Sequence, residues 1–289
     1  MSLPVFPDLK PVGLEDKDIF DAYLERDPSE VCELVFANIY MWKDSEHPRW
    51  TTLYGSLCVL VEPDFEPPYA LPPVGGERVP ETVAALLGRV PRLSRVPEAF
   101  VARHGAGFAV REDRANFDYV YSRPELAELK GKKFDGKRNR IRKFESTCAH
   151  EYHPLTRADV PGCARLLEDW FEEKRNGDPY MKAEKIAIVE ALATFDRIGL
   201  KGGVVKVGGR IEAFTMGGRL TADMAVIPIE IANPGLVGLA QWINREFVRR
   251  EGADYAFVNR EQDMDVEGLR KAKLSYQPVR LVKKYDLTP

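Results

Sequence analysis

A polar run, Asn259–Asp263, directly follows the apolar stretch Tyr255–Val258, which has the composition of a strand. Ligands of open mixed sheets collect at the carboxyl ends of strands. Glu261 is too far from the following helix to cap it, and a partly buried carboxylate is a standard proton acceptor in transfer to an amine or hydroxyl. We therefore predict that Glu261 is a general base and that Asn259 and Arg260 hold a donor beside it.

Two further carboxylates are candidates for catalysis. Asp263 lies where it can either cap the next helix or take part in proton transfer. Glu230 belongs to a predicted strand, Met224–Ile231, in which alternation places it on the face opposite the isoleucines. If that face lines a cleft, Glu230 is a second base, and if the face is open, Glu230 is a solvated side chain.

The predicted last helix, Val266–Tyr276, carries a tyrosine and basic side chains. One face recurs at i, i+3 and i+7 and is expected to pack inward: Leu269, Ala272 and Tyr276. Tyr276 is then either a core tyrosine with one hydrogen bond or a hydroxyl at the edge of the cleft. Arg270 and Lys273 are predicted to hold a phosphate, the first as a fork and the second as a point charge.

Basic residues are concentrated in two segments although the whole chain has a net charge of -3. Lys130–Lys143 holds eight basic residues and one acid, and Gly268–Lys284 holds six basic residues and no acid. Such segments are either solvated faces or binding sites for an anion. We favour an anionic ligand and name four residues of the first segment as its contacts: Lys132, Lys133, Arg138 and Arg140.

Composition excludes several classes of protein. With 289 residues, of which 44% are apolar and 30% charged, the chain is neither disordered nor collagenous. Its four cysteines form no CxxC pair, which indicates a reducing compartment, and Cys148, His150 and His153 do not converge as zinc ligands. No apolar run approaches the roughly 18 residues of a membrane span. We predict a cytoplasmic protein with no metal site and no membrane span.

The second half has a regular order of elements, β-α-α-β-β-β-α-β-α-β. A hairpin is expected at Gly208–Gly209, because two glycines supply the positive φ angles of a two-residue turn. The helix after Pro234 has an apolar stripe that leaves Asn244 and Glu246 on its polar side. Val279–Tyr285 is expected to close the order as a single strand.

The first half is less regular. Its predicted elements, in chain order, are a helix, two strands, a helix and a strand: Ser29–Trp42, Thr51–Glu62, Tyr69–Val74, Pro80–Val90 and Phe117–Tyr121. The fold class is therefore α/β (α+β), with two mixed-sheet lobes. We expect residues 1–145 to form the first lobe, ending in a basic connector helix, and residues 146–289 to form the second.

The element order of residues 151–289 resembles the N-acetyltransferase superfamily GNAT, whose mixed sheet splays between its fourth and fifth strands to admit an acyl donor. Ala272 and Tyr276 match the Ala-x-x-x-Tyr motif of that family. Three longer strings resemble a bacterial family grouped with the C-terminal domain of phosphatidylglycerol lysyltransferase: FANIYMWKD, FDYVYSRPELAELKGKKFDGKRNRIRKF and VNREQDMDVEGLRKAKLSY. This resemblance implies a tandem GNAT-like protein related to the Fem-type aminoacyltransferases.

Relatives of this kind take an aminoacyl group from a charged tRNA, and the tyrosine of the motif protonates a leaving group in related acetyltransferases. The resemblance therefore implies an acyltransferase that moves an aminoacyl group from charged tRNA, or another anionic donor, to a small-molecule, peptide or lipid head-group acceptor. The alternatives are an acetyl-CoA-dependent N-acetyltransferase and a GNAT-shaped RNA-binding module without catalysis.

The loop before the predicted helix departs from the acetyltransferase pattern. Acetyl-CoA enzymes of the superfamily place Arg/Gln-x-x-Gly-x-Gly/Ala here, because its backbone N–H groups hold a pyrophosphate. This chain has Asn233–Leu239, in which Pro234 lacks an N–H. Gly235 and Gly238 are either remnants of an anion-binding loop or glycines that open and pack the helix.

Overall fold

The computed structural model describes residues 3–173 and 179–289. The chain divides into two compact units. Unit 1 consists of Met1–Asp118, Gln262–Glu267 and Leu281–Pro289, and unit 2 of Tyr119–Glu261 and Gly268–Arg280. The expected boundary at residue 145 thus differs from the observed one, because residues 119–145 belong to unit 2 and the C-terminal residues belong to unit 1.

The elements up to Glu112 alternate helices with short strands: β1 (Lys10–Pro11), α1 (Lys17–Arg26), α2 (Phe36–Met41), α3 (Lys43–Glu46), β2 (Arg49–Leu53), β3 (Ser56–Val61), β4 (Tyr69–Ala70), α4 (Val79–Leu87), β5 (Leu93–Pro97), α5 (Glu98–His104) and β6 (Ala109–Glu112). The rest of the chain has longer strands: β7 (Asp118–Ser122), α6 (Arg123–Glu128), α7 (Asp135–Thr147), β8 (His150–Pro154), α8 (Val160–Glu173), α9 (Pro179–Thr194), β9 (Leu200–Val207), β10 (Arg210–Arg219), β11 (Met224–Ala232), α10 (Leu239–Arg250), β12 (Phe257–Asn259), α11 (Glu267–Leu274), β13 (Arg280–Val282) and β14 (Lys284–Thr288).

The two sheets have the same topology with one strand exchanged. The first sheet has the order β1-β2-β3-β4-β5-β14-β6, and the second, read from its other edge, has the order β8-β9-β10-β11-β12-β7-β13. In each sheet, the first five positions are taken by five strands that are consecutive in sequence. The next position is taken by a strand from the other half of the chain, and the last position by the strand that follows the five in sequence. A structural repeat therefore exists where no sequence repeat is visible, and the predicted α/β class with two mixed sheets is confirmed.

Each sheet contains a parallel pair at the same place in its order, β4 with β5 and β11 with β12. The β11–β12 pairing covers Met224–Val226 and Phe257–Asn259, after which β12 ends while β11 continues to Ala232. The two strands therefore separate beyond Val226 and Asn259. This opening lies at their carboxyl ends, where the polar residues that follow each strand can approach one another.

The regular order predicted for the second half is confirmed, including the hairpin. Gly208 and Gly209 have φ angles of 57° and 80°, as a two-residue turn between β9 and β10 requires. The single strand predicted at Val279–Tyr285 is wrong. The structure has two strands in different sheets there, β13 and β14, and Lys283 lies between them.

Predictions for the first half were less accurate. The helix predicted at Ser29–Trp42 is reduced to α2, because residue Cys32 is bound in a loop: its N–H donates to Asp118 Oδ2 at 2.9 Å, and its carbonyl accepts from Asn38 Nδ2 at 2.8 Å. The strand predicted at Thr51–Glu62 is the hairpin of β2 and β3. Among the described residues up to 145, sequence patterns missed seven helices and strands: β1, α1, α3, β5, α5, β6 and α6.

A buried ammonium group holds the C-terminal strand in unit 1. Lys284 is fully buried at the start of β14, and its Nζ lies 2.6 Å from Asp118 Oδ1 and 2.5 Å from Glu33 Oε2. Its Nζ is also 3.5 Å from Cys32 Sγ. Burial opposes the charge, but Asp118, Cys32 and Glu33 outweigh it and raise the pKa of Lys284. The ammonium thus lies among three side chains of the kinds that bind metal ions in other proteins, Cys32, Glu33 and Asp118.

No helix within residues 3–173 and 179–289 is both long and apolar enough to cross a membrane.

Replacing Lys284 with Met should destabilise the protein by about 3 to 5 kcal/mol, because Asp118 is left as a buried charge without its cation. Lys283→Met is the matched control, since the neighbouring Lys283 is 47% exposed and pairs with Glu98, itself 63% exposed. Exposed pairs contribute about 0 to 1 kcal/mol. Urea unfolding of both variants measures the difference, and equal midpoints would contradict the buried cluster.

Candidate functional site

Three polar side chains of unit 2 meet in the opening between β11 and β12. Glu230 comes from β11, Arg260 follows β12, and Asn244 comes from α10. Arg260 Nη2 lies 3.2 Å from Glu230 Oε1 and 3.3 Å from Oε2. Asn244 Nδ2 donates to Glu230 Oε2 at 2.8 Å. The Arg260–Glu230 ion pair therefore bridges the place where the two strands separate.

The position of Glu230 follows from strand alternation, as predicted. In β11, Ile227, Ile229 and Ile231 are buried while Pro228 and Glu230 are half-buried. The side chain of Glu230 is 19% exposed and that of Arg260 is 14% exposed. The face of β11 that carries Glu230 is therefore largely covered rather than open to solvent.

Two tyrosines form the aromatic wall of this site. The guanidinium of Arg260 lies 4.7 Å from the ring centroid of Tyr276 and 5.7 Å from that of Tyr121. The two rings meet edge to face, with centroids 6.4 Å apart. Lys137 of α7 lies 4.0 Å from the Tyr276 centroid, and its Nζ donates to Ser275 Oγ at 2.5 Å. The Tyr276 ring thus contacts two cationic side chains.

Backbone groups connect the wall to α11. Tyr121 Oη donates to the Lys273 carbonyl at 2.9 Å, and Lys273 Nζ donates to the Arg260 carbonyl. Tyr276 follows the end of α11, where its N–H donates to the same Lys273 carbonyl at 3.1 Å. Cationic side chains therefore outnumber the carboxylate Glu230 in this cluster, which favours an anionic ligand.

Burial and neighbouring charges shift the pKa values of the cluster. Burial, together with the positive charges of Arg260 and Arg140, lowers the pKa of Lys137 to about 8. Burial raises the pKa of Tyr276 to about 12. Burial opposes the charge of Arg260, but Glu230, Tyr276 and Tyr121 together outweigh it and raise the pKa of the guanidinium. At neutral pH the site holds a permanent cation, a protonated phenol and a lysine that loses its proton readily.

Two buried atoms of the cluster lack a hydrogen-bond partner among the described residues: Asn244 Oδ1 and Arg260 Nη1. The first is an acceptor and the second is a donor. Buried polar atoms are paired in most proteins, so an unpaired acceptor beside an unpaired donor marks a place for a ligand or a water molecule.

The structure brings several of the sequence candidates together in this cluster and separates others. Arg260 contacts Glu230, Tyr276 and Lys273, and Arg140 is close enough to lower the pKa of Lys137. Asp263 lies in unit 1, where its Oδ2 is 3.1 Å from Arg114 and its Oδ1 accepts from the N–H of Asp265 at 2.9 Å. With these contacts, Asp263 stabilises the conformation of the loop in which it lies.

The segment after β12 is folded tightly. Asn259 is fully buried, and its Oδ1 accepts from the N–H of Glu261 at 2.7 Å. Glu261 has a φ of 58°, and its carbonyl accepts from the N–H of Tyr119 at 3.1 Å. This turn places Arg260 in the opening, where its Nη2 contacts Glu230.

Candidates from the basic connector have mainly local contacts. Arg138 donates to the carbonyls of Leu129 and Gly131 and pairs with Asp135. Lys133 pairs with Glu125 at 2.7 Å and, like Lys132, is exposed. The expectation that the helix presents its charges outward is therefore met by these residues but not by Lys137, which points to Tyr276.

The start of α10 packs against α7. Gly238, with a φ of 98°, precedes α10, and a Cβ at this position would overlap the Arg140 carbonyl oxygen. The N–H of Gly235 donates to Asn233 Oδ1 at 2.9 Å. Gly238 is thus explained by its conformation and by close packing, and this helix start does not offer the open backbone cradle that a pyrophosphate needs.

Two predictions about which helix faces are buried are wrong. Asn244 and Glu246 are 1% and 6% exposed rather than on a polar surface, and Glu246 pairs with Arg245, Arg249 and Arg250. On α11, Leu269 is 39% exposed and Ala272 is also exposed, so of the predicted inward face Tyr276 alone is buried. The helix has no buried residue because its contacts are made by Arg270, Lys273 and the residues after it.

Sequence reasoning missed Lys137, Tyr121 and Asn244 as members of the site. A signal existed for Asn244, since Ala240, Asn244 and Val248 follow the helical spacing i, i+4, i+8 and place the amide between two apolar neighbours. Nothing in the pattern distinguishes Lys137 from the other basic residues of α7.

Comparison with known proteins identifies the family. Residues 26–288 match the sequence profile of the family described as phosphatidylglycerol lysyltransferase, C-terminal. The chain belongs to this family. A conserved protein of unknown function from Bacteroides thetaiotaomicron is 31% identical over 99% of both chains, with a TM-score of 0.89. No curated protein matches the sequence.

More distant solved structures share the fold. L-PGS from Bacillus licheniformis has a TM-score of 0.66 and 15% identity over 100% of this chain and 94% of its own. FemX has a TM-score of 0.58 and 8% identity over 96% of each chain. Together with the repeated sheet, these similarities confirm the tandem GNAT-like fold. At the level of the family, the chemistry is that of an aminoacyltransferase.

Proposed function

We propose that this protein transfers an aminoacyl group from a charged tRNA to an amine or hydroxyl acceptor. The observation that carries the proposal is the Arg260–Glu230 pair across the opening of the second sheet, next to an excess of cationic side chains. Membership of the phosphatidylglycerol lysyltransferase family supports the reaction class. The 3′ end of a charged tRNA is an ester flanked by phosphates, which suits a carboxylate-poor, cation-rich cleft.

In this proposal, the acceptor X–H attacks the carbonyl carbon of the ester. A C–X bond forms, and the bond from that carbon to the tRNA oxygen breaks. Lys137 takes the proton of X–H, and Tyr276 gives a proton to the departing oxygen, for which its protonated phenol is suited. Arg260 stabilises the negative charge that develops on the carbonyl oxygen. Both proton carriers then return to their starting states by exchange with water.

The acetyl-CoA alternative is disfavoured by one feature of unit 2. The helix start that would hold the pyrophosphate is packed against the Arg140 carbonyl. The residues therefore do not fit coenzyme A bound in the usual manner.

The family name makes phosphatidylglycerol the first acceptor to test, with small amines and peptides as the other classes. A non-catalytic RNA-binding module is the remaining alternative. It predicts binding of tRNA without loss of the aminoacyl group, so turnover separates it from the proposed enzyme.

Donor choice is tested by binding. We expect charged tRNA to bind with an affinity that falls steeply with salt, because several phosphates are neutralised, and acetyl-CoA to bind weakly or not at all. Filter binding at several salt concentrations and calorimetry with acetyl-CoA measure the two affinities. Low-micromolar binding of acetyl-CoA together with salt-insensitive tRNA binding would favour the acetyltransferase.

Glu230→Gln and Glu261→Gln form a matched pair that tests which carboxylate belongs to the site. We expect Glu230→Gln to lower the rate of transfer from charged tRNA by roughly a hundredfold or more, because Arg260 loses its counter-ion and its orientation. Glu261→Gln lowers the rate by roughly a hundred- to ten-thousandfold if Glu261 is the base predicted from sequence. A normal rate for Glu230→Gln together with a large loss for Glu261→Gln would show that Glu261, and not Glu230, is the carboxylate that the reaction needs.

The pH dependence of transfer tests Lys137. The folded-state pKa of Lys137 is lowered to about 8, so the neutral amine that accepts a proton is depleted below that pH. The rate should rise about tenfold per pH unit below 8 and level off above it. Lys137→Arg, which stays charged, should lose both the rise and most of the rate, whereas Lys133→Arg should keep them. A wild-type rate that falls above pH 8 would show that Lys137 acts as a cation instead.

A further inference from the structure

The unpaired atoms beside Glu230 restrict the chemistry of the ligand that can complete the site. Asn244 is 1% exposed and leaves Oδ1 without a donor among the described residues, and Arg260 leaves Nη1 without an acceptor. The orientation of the amide is fixed, because Nδ2 faces the Glu230 carboxylate at 2.8 Å and the opposite orientation would set oxygen against oxygen. Because both residues contact Glu230 Oε2, the ligand must supply a hydrogen-bond donor and an acceptor around this carboxylate.

We propose that this pair is a subsite for an α-aminoacyl ester, in which Asn244 Oδ1 and Glu230 bind the α-ammonium and Arg260 Nη1 binds the ester carbonyl oxygen. The inference rests on the proposed function and adds a selection rule to it. An α-ammonium carries N–H donors and a positive charge that complements the Glu230 carboxylate. The ester carbonyl is bonded to the same α-carbon, so its oxygen is available to accept from Arg260 Nη1. Asn244 thus determines specificity without touching the bond that breaks.

Other ligands satisfy the two atoms less well. A phosphate would accept from Arg260 Nη1 but would place oxygen against Asn244 Oδ1 and Glu230. An acetyl group offers a carbonyl oxygen and no donor. A buried water molecule can pair with both atoms and requires no specificity, so it is the alternative that the experiment must separate.

The experiment compares two donors that differ in the α-ammonium. Transfer of label from lysyl-tRNA is measured beside transfer from the same tRNA carrying the deaminated lysyl analogue, which keeps the side-chain amine. Phosphatidylglycerol vesicles and a set of simple amines serve as acceptors. We expect the wild-type protein to prefer lysyl-tRNA by roughly ten- to a hundredfold in kcat/KM, as a buried charged hydrogen bond predicts.

Asn244→Leu should lower this preference toward one while transfer of the deaminated analogue changes little. Asn244→Ala, which likewise removes the acceptor oxygen and adds no bulk, should also lower the preference and keeps the test valid if the leucine variant does not fold. Asn116→Leu is the matched control in unit 1, where Asn116 Nδ2 likewise donates to a carboxylate, Asp113 Oδ2, at 2.8 Å. It should leave the preference unchanged.

The outcomes separate the subsite from the proposed function. Transfer from neither donor, with any acceptor, would overturn the proposed function. Equal transfer from both donors by the wild-type protein would support the function and overturn the subsite, leaving a buried water as the partner of the two atoms. A preference that persists in a folded Asn244→Leu variant would assign the selection to other residues and would also overturn the subsite.

Discussion

The exchange of one strand between the two sheets depends on a lysine that has no access to solvent. β14 can be the sixth member of the first sheet because Lys284, at its first position, places an ammonium between Asp118 and Glu33. A buried ion pair is costly to form and more costly to break on one side, so it specifies register more strongly than it adds stability. The neighbouring Lys283 lies in solvent and provides no such constraint.

The two units use buried cations in different ways, and the difference separates structure from function. In unit 1, the Lys284 ammonium lies within hydrogen-bond distance of two carboxylates, and Asp118 also accepts from the Cys32 N–H. In unit 2, Arg260 faces a single carboxylate, Glu230, and keeps Nη1 unpaired among the described residues. A cation shared by two carboxylates holds a strand, whereas a cation with an unpaired donor atom at the carboxyl end of a strand is suited to a ligand.

The sequence predicted those parts of the fold that local patterns determine. The hairpin at Gly208–Gly209 and the alternation that turns Glu230 away from the isoleucines depend on neighbouring residues, and both predictions are correct. The division of Val279–Tyr285 between two sheets depends on where Lys284 finds its carboxylates, which are far away in sequence. The site shows the same limit, because Lys137 joins Tyr276 through a tertiary contact that no spacing records.

Cationic side chains stack on tyrosine in both units, and the neighbouring carboxylates determine what each arrangement can bind. In unit 1, Arg92 and Arg95 lie 5.5 and 5.2 Å from the Tyr69 ring centroid, and Glu66 pairs with both of them. In unit 2, Arg260 and Lys137 share the Tyr276 ring, and Glu230 pairs with Arg260. Since the acids of unit 1 already neutralise its arginines, an anionic donor gains more electrostatic free energy at the opening in unit 2. Under the proposed function, this charge balance favours the sheet whose strands separate as the donor site, with Tyr276 and Lys137 as the proposed proton carriers.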